Sequence, residues 1–262
     1  VETLDDVFPG VLLWPLRRLF SMLERWPLNN AFRVNLVSEG FLPYFEKRYS
    51  RNDYALFTNG VDEQFVERAC DLPAQLPCEK SGQIPHIVYA GNIGDGQGLE
   101  KILPFLALAL RNKARITVVG DGGARDRLLT VCDARSALVT VLDPMPRDEL
   151  MALYDSADVL FLHLNNYPAF ERVLPSKLFE YAATGKPILA GVGGYAQAFI
   201  ERELPSAEVF SPCSVTEAVA AFTRLPLGVS DRSTFVEQFS RQTIMARMAD
   251  DILACLPEPM NE

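Results

Sequence analysis

From residue 85 onward, short apolar runs alternate with longer segments in which apolar residues recur at helical spacing. The short runs predict strands, and the segments between them, about 10 to 15 residues long, predict helices. The predicted strands are His86–Ala90, Arg115–Val119, Leu138–Val141, Val159–Leu164, Pro187–Ala190 and Ala207–Phe210. This alternation predicts an α/β fold with a doubly wound parallel sheet, in which ligands bind at the carboxyl ends of the strands.

Residues 1–62 carry a shorter alternation of the same kind. The elements predicted there are a helix over residues 11–26, a strand at Val34–Val37, a helix at Glu39–Tyr49 and a strand at Tyr54–Phe57. Two strands and two helices cannot easily bury both faces of a parallel sheet. We therefore interpret residues 1–62 as the last part of a larger domain.

The remainder of the chain is divided into residues 63–230, which hold the predicted six-stranded sheet, and residues 231–262. In the last segment, Phe235, Phe239 and Ile244 lie at roughly helical spacing and predict one long C-terminal helix. Because the chain begins at Val1 and has no initiator Met, we expect it to be a fragment or a processed chain.

Composition narrows the class of protein. With 262 residues, of which 48% are hydrophobic, the chain can bury one large core or two modest ones. Its formal charge of -9 argues against broad binding to nucleic acid, which requires a positive field. The 5 cysteines, an odd number without a CxxC pair, indicate neither a disulfide framework nor a zinc site and fit a reducing cytoplasm.

No apolar run in the sequence is long enough to span a bilayer. Residues 11–26 do, however, place Leu, Trp and Phe around Arg17, Arg18 and Arg25. Such a segment can lie at a membrane surface, although a core helix with a basic outer face is the commoner outcome. A peripheral membrane contact therefore stays open as one of two alternatives.

The segment from residue 165 to residue 189 has the clearest helix boundaries. Pro175 opens the predicted helix and Gly185 closes it. Lys177 therefore lies in the first turn, with Glu180 on the same face. A cation and free amides at a helix N-terminus suit a phosphate, and a carboxylate one turn later suits a sugar hydroxyl. The pattern is typical of a nucleotide-binding helix, but an ordinary surface ion pair fits the same spacing.

A glycine-rich turn follows the first strand of the predicted sheet. Gly91, Gly94, Gly96 and Gly98 lie between this strand and the next helix, where backbone amides can approach a diphosphate closely. Ile93 stands where the dinucleotide fingerprint needs its second glycine, so an NAD site is disfavoured. The turn is not a P-loop, because no Gly-Lys-Ser/Thr follows. A plain flexible turn is the alternative explanation.

Two further residues at strand ends carry weaker signals. Asp121, between two glycines, is better explained by turn chemistry than by ligand binding. His163 ends the fourth predicted strand, and a lone His in an apolar strand is usually a core residue with its hydrogen bonds satisfied. No cluster of His, Cys and carboxylates has the spacing of metal ligands, so neither a metal nor another cofactor is implied.

Together these motifs resemble those of the family 4 glycosyltransferases, whose two Rossmann-like domains face each other across a cleft in the GT-B fold. The resemblance runs from about residue 30 to the C-terminus. Its motifs are Asn59-Gly60-Val61-Asp62 with Phe65, Gly91-Asn92-Ile93-Gly94 with Gln97-Gly98-Leu99, Val118-Val119-Gly120-Asp121-Gly122, Leu153-Tyr154-Asp155-Ser156-Ala157-Asp158-Val159, and Pro175-Ser176-Lys177-Leu178-Phe179-Glu180-Tyr181-Ala182 with Gly185-Lys186-Pro187. The residues of the Gly-Asn-Ile-Gly and Pro-Ser-Lys motifs are most similar to those of bacterial enzymes that add N-acetylated sugars in surface-polysaccharide synthesis.

The resemblance implies a Rossmann-like C-terminal domain of the GT-B fold with only a partial N-terminal domain. It implies that Glu180 holds the ribose of a nucleotide, usually uridine, and that Gly94 and Lys177 face the diphosphate. The loop over residues 169–173 is then expected to touch the donor sugar. The other residues expected at this donor site are Gly91, Asn92, Gly120, Arg172 and Leu178.

Relatives of this kind usually transfer a sugar with retention of configuration and without a metal. The resemblance thus implies a UDP-sugar donor and a saccharide or lipid-linked saccharide acceptor at the inner face of the membrane. A complete relative has an N-terminal domain that binds the acceptor and supplies part of the active site. Catalytic residues are therefore not identified here, and we expect the chain alone to bind the donor with little or no turnover.

The sequence departs from the family pattern at two places. Asn92 and Gln97 stand where many relatives have an Arg and a Lys, and Arg172 stands where many have a Glu. Diphosphate binding is then expected to depend more heavily on Lys177 and Arg172. A noncatalytic binding module or half of a split enzyme, and a UDP-sugar epimerase of the same architecture, are the alternative functions; an NAD-binding domain comes last.

Overall fold

The computed structural model describes residues 14–70, 75–77 and 83–256. Its first segment contains two α-helices and a two-stranded parallel sheet, in which Arg33 pairs with Asp53. The elements in chain order are α1 (Trp14–Asn30), β1 (Arg33–Leu36), a 3-10 turn (Glu39–Phe41), α2 (Leu42–Arg48) and β2 (Asp53–Leu56).

Both predicted strands of this segment are confirmed, each one residue earlier than expected. The helix predicted over residues 11–26 is observed as α1, which continues through Pro27 to Asn30, and residues 11–13 lie outside the described residues. The helix predicted at Glu39–Tyr49 is divided into the 3-10 turn and α2. Pro43 lies in the first turn of α2, where its fixed backbone angle is compatible with a new helix start.

The second part of the chain carries a larger sheet and its surrounding helices. The elements are α3 (Glu63–Cys70), β3 (Gln75–Pro77), β4 (His86–Ala90), α4 (Leu99–Ala109), β5 (Arg115–Val119), α5 (Arg125–Arg135), β6 (Val139–Leu142), α6 (Arg147–Ser156), β7 (Val159–His163), a 3-10 turn (Pro168–Arg172), α7 (Lys177–Ala183), β8 (Ile188–Gly191), α8 (Gly194–Glu203), β9 (Ala207–Phe210) and α9 (Val215–Arg224). The chain then forms β10 (Gly228–Ser230), α10 (Ser233–Phe239) and α11 (Arg241–Ala254).

The larger sheet has six strands in the order β6-β5-β4-β7-β8-β9, and every pairing in it is parallel. The sheet grows outward from β4 in one direction and then from β7 in the other, so the topological switch point lies between these two strands. All six predicted strands are present, with ends within one residue of the prediction. The doubly wound α/β class is therefore confirmed.

The middle strands of this sheet are apolar throughout because helices cover both faces. Every residue of β4, β7 and β8 is buried. One face packs against α6, α7, α8 and α10, and the opposite face packs against α4, α5 and α9. Since each side chain of a middle strand enters one of two cores, the sequence there shows a continuous apolar run rather than alternation.

The single long helix predicted for residues 231–262 is wrong. The chain forms α10 and α11, separated at Ser240, whose backbone is extended with φ -60 and ψ 141. The Ser240 hydroxyl accepts a hydrogen bond from the Thr243 amide at 3.1 Å, which caps the start of α11. Residues 257–262 lie outside the described residues, and the division of the chain at residues 62 and 230 stays a prediction.

The break between α10 and α11 lies beside the connection between the two parts of the chain. The Val61 amide donates to the Phe239 carbonyl at 2.7 Å, and the Arg241 amide donates to the Val61 carbonyl at 2.8 Å. Asp62 forms ion pairs with Arg147 and Arg241, each at 3.1 Å. This backbone pairing fixes where the connection enters the larger sheet.

Among the described residues, no helix is both long and apolar enough to cross a membrane.

Candidate functional site

A cleft of about 350 Å³ opens at the carboxyl edge of the larger sheet, beside the switch point. Its floor is formed by the residues that end β4 and β5, namely Ala90, Gly91, Asn92, Val119, Gly120 and Asp121. Its walls are apolar side chains from the loop after β6 and from α6, together with the cation of α7: Pro144, Met145, Leu150 and Lys177. This is the edge at which doubly wound sheets bind ligands.

Two glycines of the loop after β5 lie too close to the loop after β4 for a side chain to fit between them. A Cβ atom built on Gly120 would lie 1.9 Å from the Gly91 carbonyl oxygen, and Gly120 has a φ of +148, which favours glycine. Gly122 has a φ of +150, and a Cβ atom there would lie 2.5 Å from the Ile93 carbonyl oxygen. A flat ligand can therefore approach the main chain directly.

Lys177 is the first residue of α7, and its Nζ lies 2.9 Å from Oε2 of Glu180. Each of the two side chains is 28% exposed, so both are accessible to solvent, but Glu180 does not line the cleft. The ion pair that an ordinary surface pair requires is therefore present. Lys177 also lines the cleft, so the nucleotide-binding explanation stays open as well.

The free amides expected at the start of α7 are partly used by the protein itself. The Leu178 amide donates to the Pro175 carbonyl and the Phe179 amide donates to the Ser176 carbonyl, both at 3.1 Å. The Leu178 side chain is fully buried, so only its backbone can face a ligand. The Lys177 ammonium, rather than the helix terminus, is the feature of α7 that can attract an anion.

Four of the eight predicted donor-binding residues, Gly91, Asn92, Gly120 and Lys177, line this cleft. Gly94 lies in the adjoining glycine loop, where its amide donates to Oε1 of Gln97 at 3.3 Å. Asn92 Nδ2 donates to the same oxygen at 3.0 Å. Asn92 and Gln97 therefore bind each other and shape the loop.

Arg172 lies away from the lining of this cleft. It ends the 3-10 turn after β7, and its guanidinium lies 4.8 Å from the centre of the Tyr44 ring in α2. Its backbone carbonyl accepts a hydrogen bond from the Ser38 hydroxyl at 2.6 Å. Its role in diphosphate binding stays a prediction.

His163 is a buried core residue with both ring nitrogens bonded, as the simpler explanation held. The Cys213 amide donates to Nε2 at 2.9 Å, so this nitrogen carries no proton. Nδ1 therefore carries the proton and donates to the Gln97 carbonyl at 2.6 Å. Burial lowers the pKa of His163 from 6.5 to about 4, so the ring is neutral at pH 7. The imidazole holds the glycine loop to the end of β7.

Asn165 was not identified from the sequence, yet it contacts the glycine loop at several points. It is 2% exposed, its Nδ2 donates to the Asp95 carbonyl at 2.7 Å, and its amide donates to the Gly96 carbonyl at 2.8 Å. Its Oδ1 accepts from Nζ of Lys101 at 3.0 Å. A polar residue directly after a strand at the switch point is a signal that could have identified it.

Tyr181 belongs to the motif that begins at Pro175, but the sequence predicted no role for its side chain. Its side chain is fully buried, and its hydroxyl accepts from the Ala90 amide at 3.0 Å, at the end of β4. A tyrosine on the apolar face of a helix gives no signal that its hydroxyl holds a neighbouring strand. Together, Tyr181, His163 and Asn165 fix the glycine loop from below.

Within the described residues, no group of three or more His, Cys, Asp and Glu side chains is arranged to hold a metal ion.

The sequence of residues 79–242 matches the family model of the group 1 glycosyl transferases. Among characterised sequences, the chain is 27% identical over 236 residues to WcaI of Escherichia coli K12, a protein assigned as a colanic acid biosynthesis glycosyl transferase. That alignment covers 87% of this chain and 57% of WcaI.

Two solved structures share the fold. Sucrose-phosphate synthase from Thermosynechococcus elongatus superposes with a TM-score of 0.68 at 17% identity, covering 97% of this chain and 66% of that protein. HepE from Anabaena, in complex with UDP and glucose, gives a TM-score of 0.68 at 17% identity, covering 93% of this chain and 69% of that protein. At these identities the likeness shows the fold alone, and it is the Rossmann-like fold of GT-B glycosyltransferases.

Replacing the buried imidazole should change how stability depends on pH. Because the folded pKa of His163 is about 4 and the ordinary value is 6.5, the unfolded chain takes up a proton first as the pH falls. The folded state therefore loses stability between these values, by about 2 kcal/mol from about pH 7.5 to about pH 5. We expect this part of the pH dependence to disappear in His163→Asn. Urea denaturation across that range measures it, and equal pH dependence in both proteins would contradict the assignment.

Removing the Asn165 side chain should destabilise the fold. Asn165→Ala leaves the Asp95 carbonyl and the Lys101 ammonium without this partner, and we expect a loss of about 1–3 kcal/mol in the free energy of unfolding. The neighbouring exposed Asn166 provides a matched control, since Asn166→Ala should change stability by less than about 0.5 kcal/mol. Similar losses in both variants, measured by urea denaturation, would show that Asn165 does not hold the loop.

Proposed function

This chain belongs to the family of group 1 glycosyl transferases, and from that premise we propose that it carries the donor site of a glycosyltransferase. The proposed reaction transfers a sugar, an N-acetylated hexose, from a UDP-sugar to a saccharide or lipid-linked saccharide. We further propose that transfer retains the anomeric configuration, needs no metal and follows the pattern of family 4. The chain spans 57% of the length of WcaI, so the activity of the whole protein is part of this proposal.

The observation that supports the proposal best is the position of Lys177, which lines the cleft and forms an ion pair with Glu180 in the same helix. In this proposal, the base of a nucleotide lies between the backbone of Gly91 and Gly120 and the apolar wall formed by Met145 and Leu150, which all line the cleft. A carboxylate accepts hydrogen bonds from two neighbouring hydroxyls, which is what a ribose presents. The solved structure of HepE with UDP and glucose supports a uridine nucleotide.

Electrostatics favour Lys177 as the group that receives the diphosphate. The chain has a formal charge of -9, so a diphosphate needs a local cation to bind. Of the described residues that line the cleft, Lys177 alone is a cation, and Asp121 on the floor is an anion. On donor binding, the ammonium would exchange part of its contact with Glu180 for the diphosphate, leaving the carboxylate for the ribose.

The same contact can serve the chemical step. In glycosyl transfer, the bond between the sugar carbon and the diphosphate oxygen breaks as the acceptor oxygen bonds to that carbon, and positive charge develops on the sugar. A cation held beside the diphosphate stabilises the leaving group. The Lys177 ammonium supplies this charge, while the residues that activate the acceptor are not assigned within this chain.

A donor-binding half that needs a second polypeptide is the alternative that one observation favours. Within the part of the chain that the structure describes, the sheet formed by β1 and β2 has two strands, which is too few for a parallel sheet to be stable by itself. Phe32, Val37 and Leu56 are exposed in or beside these strands. This half would bind the donor, and turnover would appear only when a separate chain completes the first domain.

We also propose a location in the cytoplasm, with α1 at the inner membrane surface. Its exposed apolar side chains recur at helical spacing: Leu19, Met22, Leu23 and Trp26. The opposite face of α1 contacts the end of α2 through Glu24, which accepts a hydrogen bond from the Tyr49 hydroxyl at 2.8 Å. Arg18 and Arg25 flank the apolar stripe, an arrangement suited to anionic lipids.

Sedimentation with phosphatidylglycerol vesicles tests the membrane contact. We expect the chain to pellet with anionic vesicles and Leu23→Glu to remain in the supernatant, because a carboxylate in the apolar stripe opposes insertion. Absence of the wild-type chain from the vesicle pellet would contradict this location.

Titration calorimetry tests the donor site. We expect UDP to bind, and Lys177→Ala and Glu180→Ala to weaken it about tenfold or more, because hydrogen bonds to charged groups contribute about 1.5–3 kcal/mol. The matched control is Lys113→Ala, which should bind UDP as the wild type does. Lys113 is an exposed lysine just before β5, at the amino ends of the strands and away from the cleft. Unchanged affinity in both site variants would refute the proposal.

A further inference from the structure

The first part of the chain touches the turn that follows β7 through a short set of contacts. The Ser38 hydroxyl, 2% exposed, donates to the Arg172 carbonyl at 2.6 Å. The Arg172 guanidinium lies 4.8 Å from the centre of the Tyr44 ring. Both contacts join residues from the end of β1 and from α2 to the 3-10 turn over Pro168–Arg172.

The backbone packing at this contact leaves little freedom for the turn. A Cβ atom on Gly40 would lie 2.7 Å from the Arg172 carbonyl oxygen. A Cβ atom on Gly194 would lie 2.1 Å from the Glu171 carbonyl oxygen, and Gly194 has a φ of +57. Since glycine is required on two sides, the turn is held by direct backbone contact as well as by the Ser38 hydrogen bond.

The opposite side of the same turn contacts the glycine loop. The Phe170 ring lies 3.2 Å from the position of a Cβ atom on Gly96. The turn then continues through Leu174, which is 5% exposed, into α7 and Lys177. It therefore spans the space between the glycine loop and the cation proposed to receive the diphosphate.

We propose that Ser38 is a positioning residue for the donor sugar, and this inference rests on the proposed function. The sugar is joined to the far phosphate, and we place it beside the Pro168–Arg172 turn because this turn packs on the glycine loop through Phe170 and leads to Lys177. Ser38 does not line the cleft. By fixing the Arg172 carbonyl, Ser38 holds the turn at the distance from the glycine loop that the sugar requires. Ser38 lies between β1 and α2, so this contact links the first part of the chain to donor selection.

The positioning role of Ser38 is tested by comparing the affinities for UDP and for UDP-N-acetylglucosamine. Ser38→Ala should bind UDP within about twofold of the wild type, because the cleft is unchanged, and should bind UDP-N-acetylglucosamine about fivefold or more weakly, the loss expected for one hydrogen bond. Ser50→Ala, at an exposed serine in the same part of the chain, is the matched control and should leave both affinities unchanged. Equal weakening of both ligands would indicate a purely structural role and overturn the proposal.

Hydrogen exchange, which needs no ligand, separates this inference from the proposed function. In Ser38→Ala, amides of the turn over Pro168–Arg172 should exchange faster, while those of β4 and β5 keep their wild-type rates. If the wild-type chain bound no nucleotide, the proposed donor site would be wrong. The exchange rates would still show whether Ser38 holds the turn over Pro168–Arg172. Unchanged exchange in the turn would overturn the positioning role whatever the titrations showed.

Discussion

The carboxyl ends of β4 and β5 meet at backbone distance, with the Gly91 carbonyl where a Cβ atom on Gly120 would otherwise stand. Parallel pairing brings these ends to one edge of the sheet, and glycine at residue 120 permits the close approach because it has no Cβ atom to collide with the Gly91 carbonyl. The cleft lies where these ends meet. Met145 and Leu150 then provide its wall, and Lys177 provides its charge.

A glycine-rich loop is flexible by itself, so its position must be fixed by neighbouring groups. Neutral hydrogen bonds hold this loop from beneath, because His163 donates to the Gln97 carbonyl, Asn165 donates to the Asp95 carbonyl, and Tyr181 binds the end of β4. The buried members of this network are neutral, which avoids placing charge in the core, where desolvation is costly. The Lys101 ammonium that also binds Asn165 belongs to an exposed residue. Of the described residues that line the cleft, Lys177 is the one cation.

The six-stranded sheet could be predicted because its strands are buried on both faces and bounded by glycine and proline. The break at Ser240 could not, because helical spacing continues across it and the interruption arises from pairing with Val61, far away in sequence. The antiparallel pairing of β3 with β10 has the same non-local origin. At the site, residue types at strand ends indicated Lys177 and the glycines. The burial of Leu178 and the contacts of Asn165 depend on neighbours that no local pattern reveals.

The most direct test of the donor site is a crystal structure of the chain with UDP. We predict that the base lies between Gly91 and Gly120 on one side and Met145 on the other, with the ribose hydroxyls on Glu180 and the diphosphate within hydrogen-bond distance of Lys177. UDP bound away from this cleft, or with its diphosphate directed away from Lys177, would contradict the assignment of the donor site.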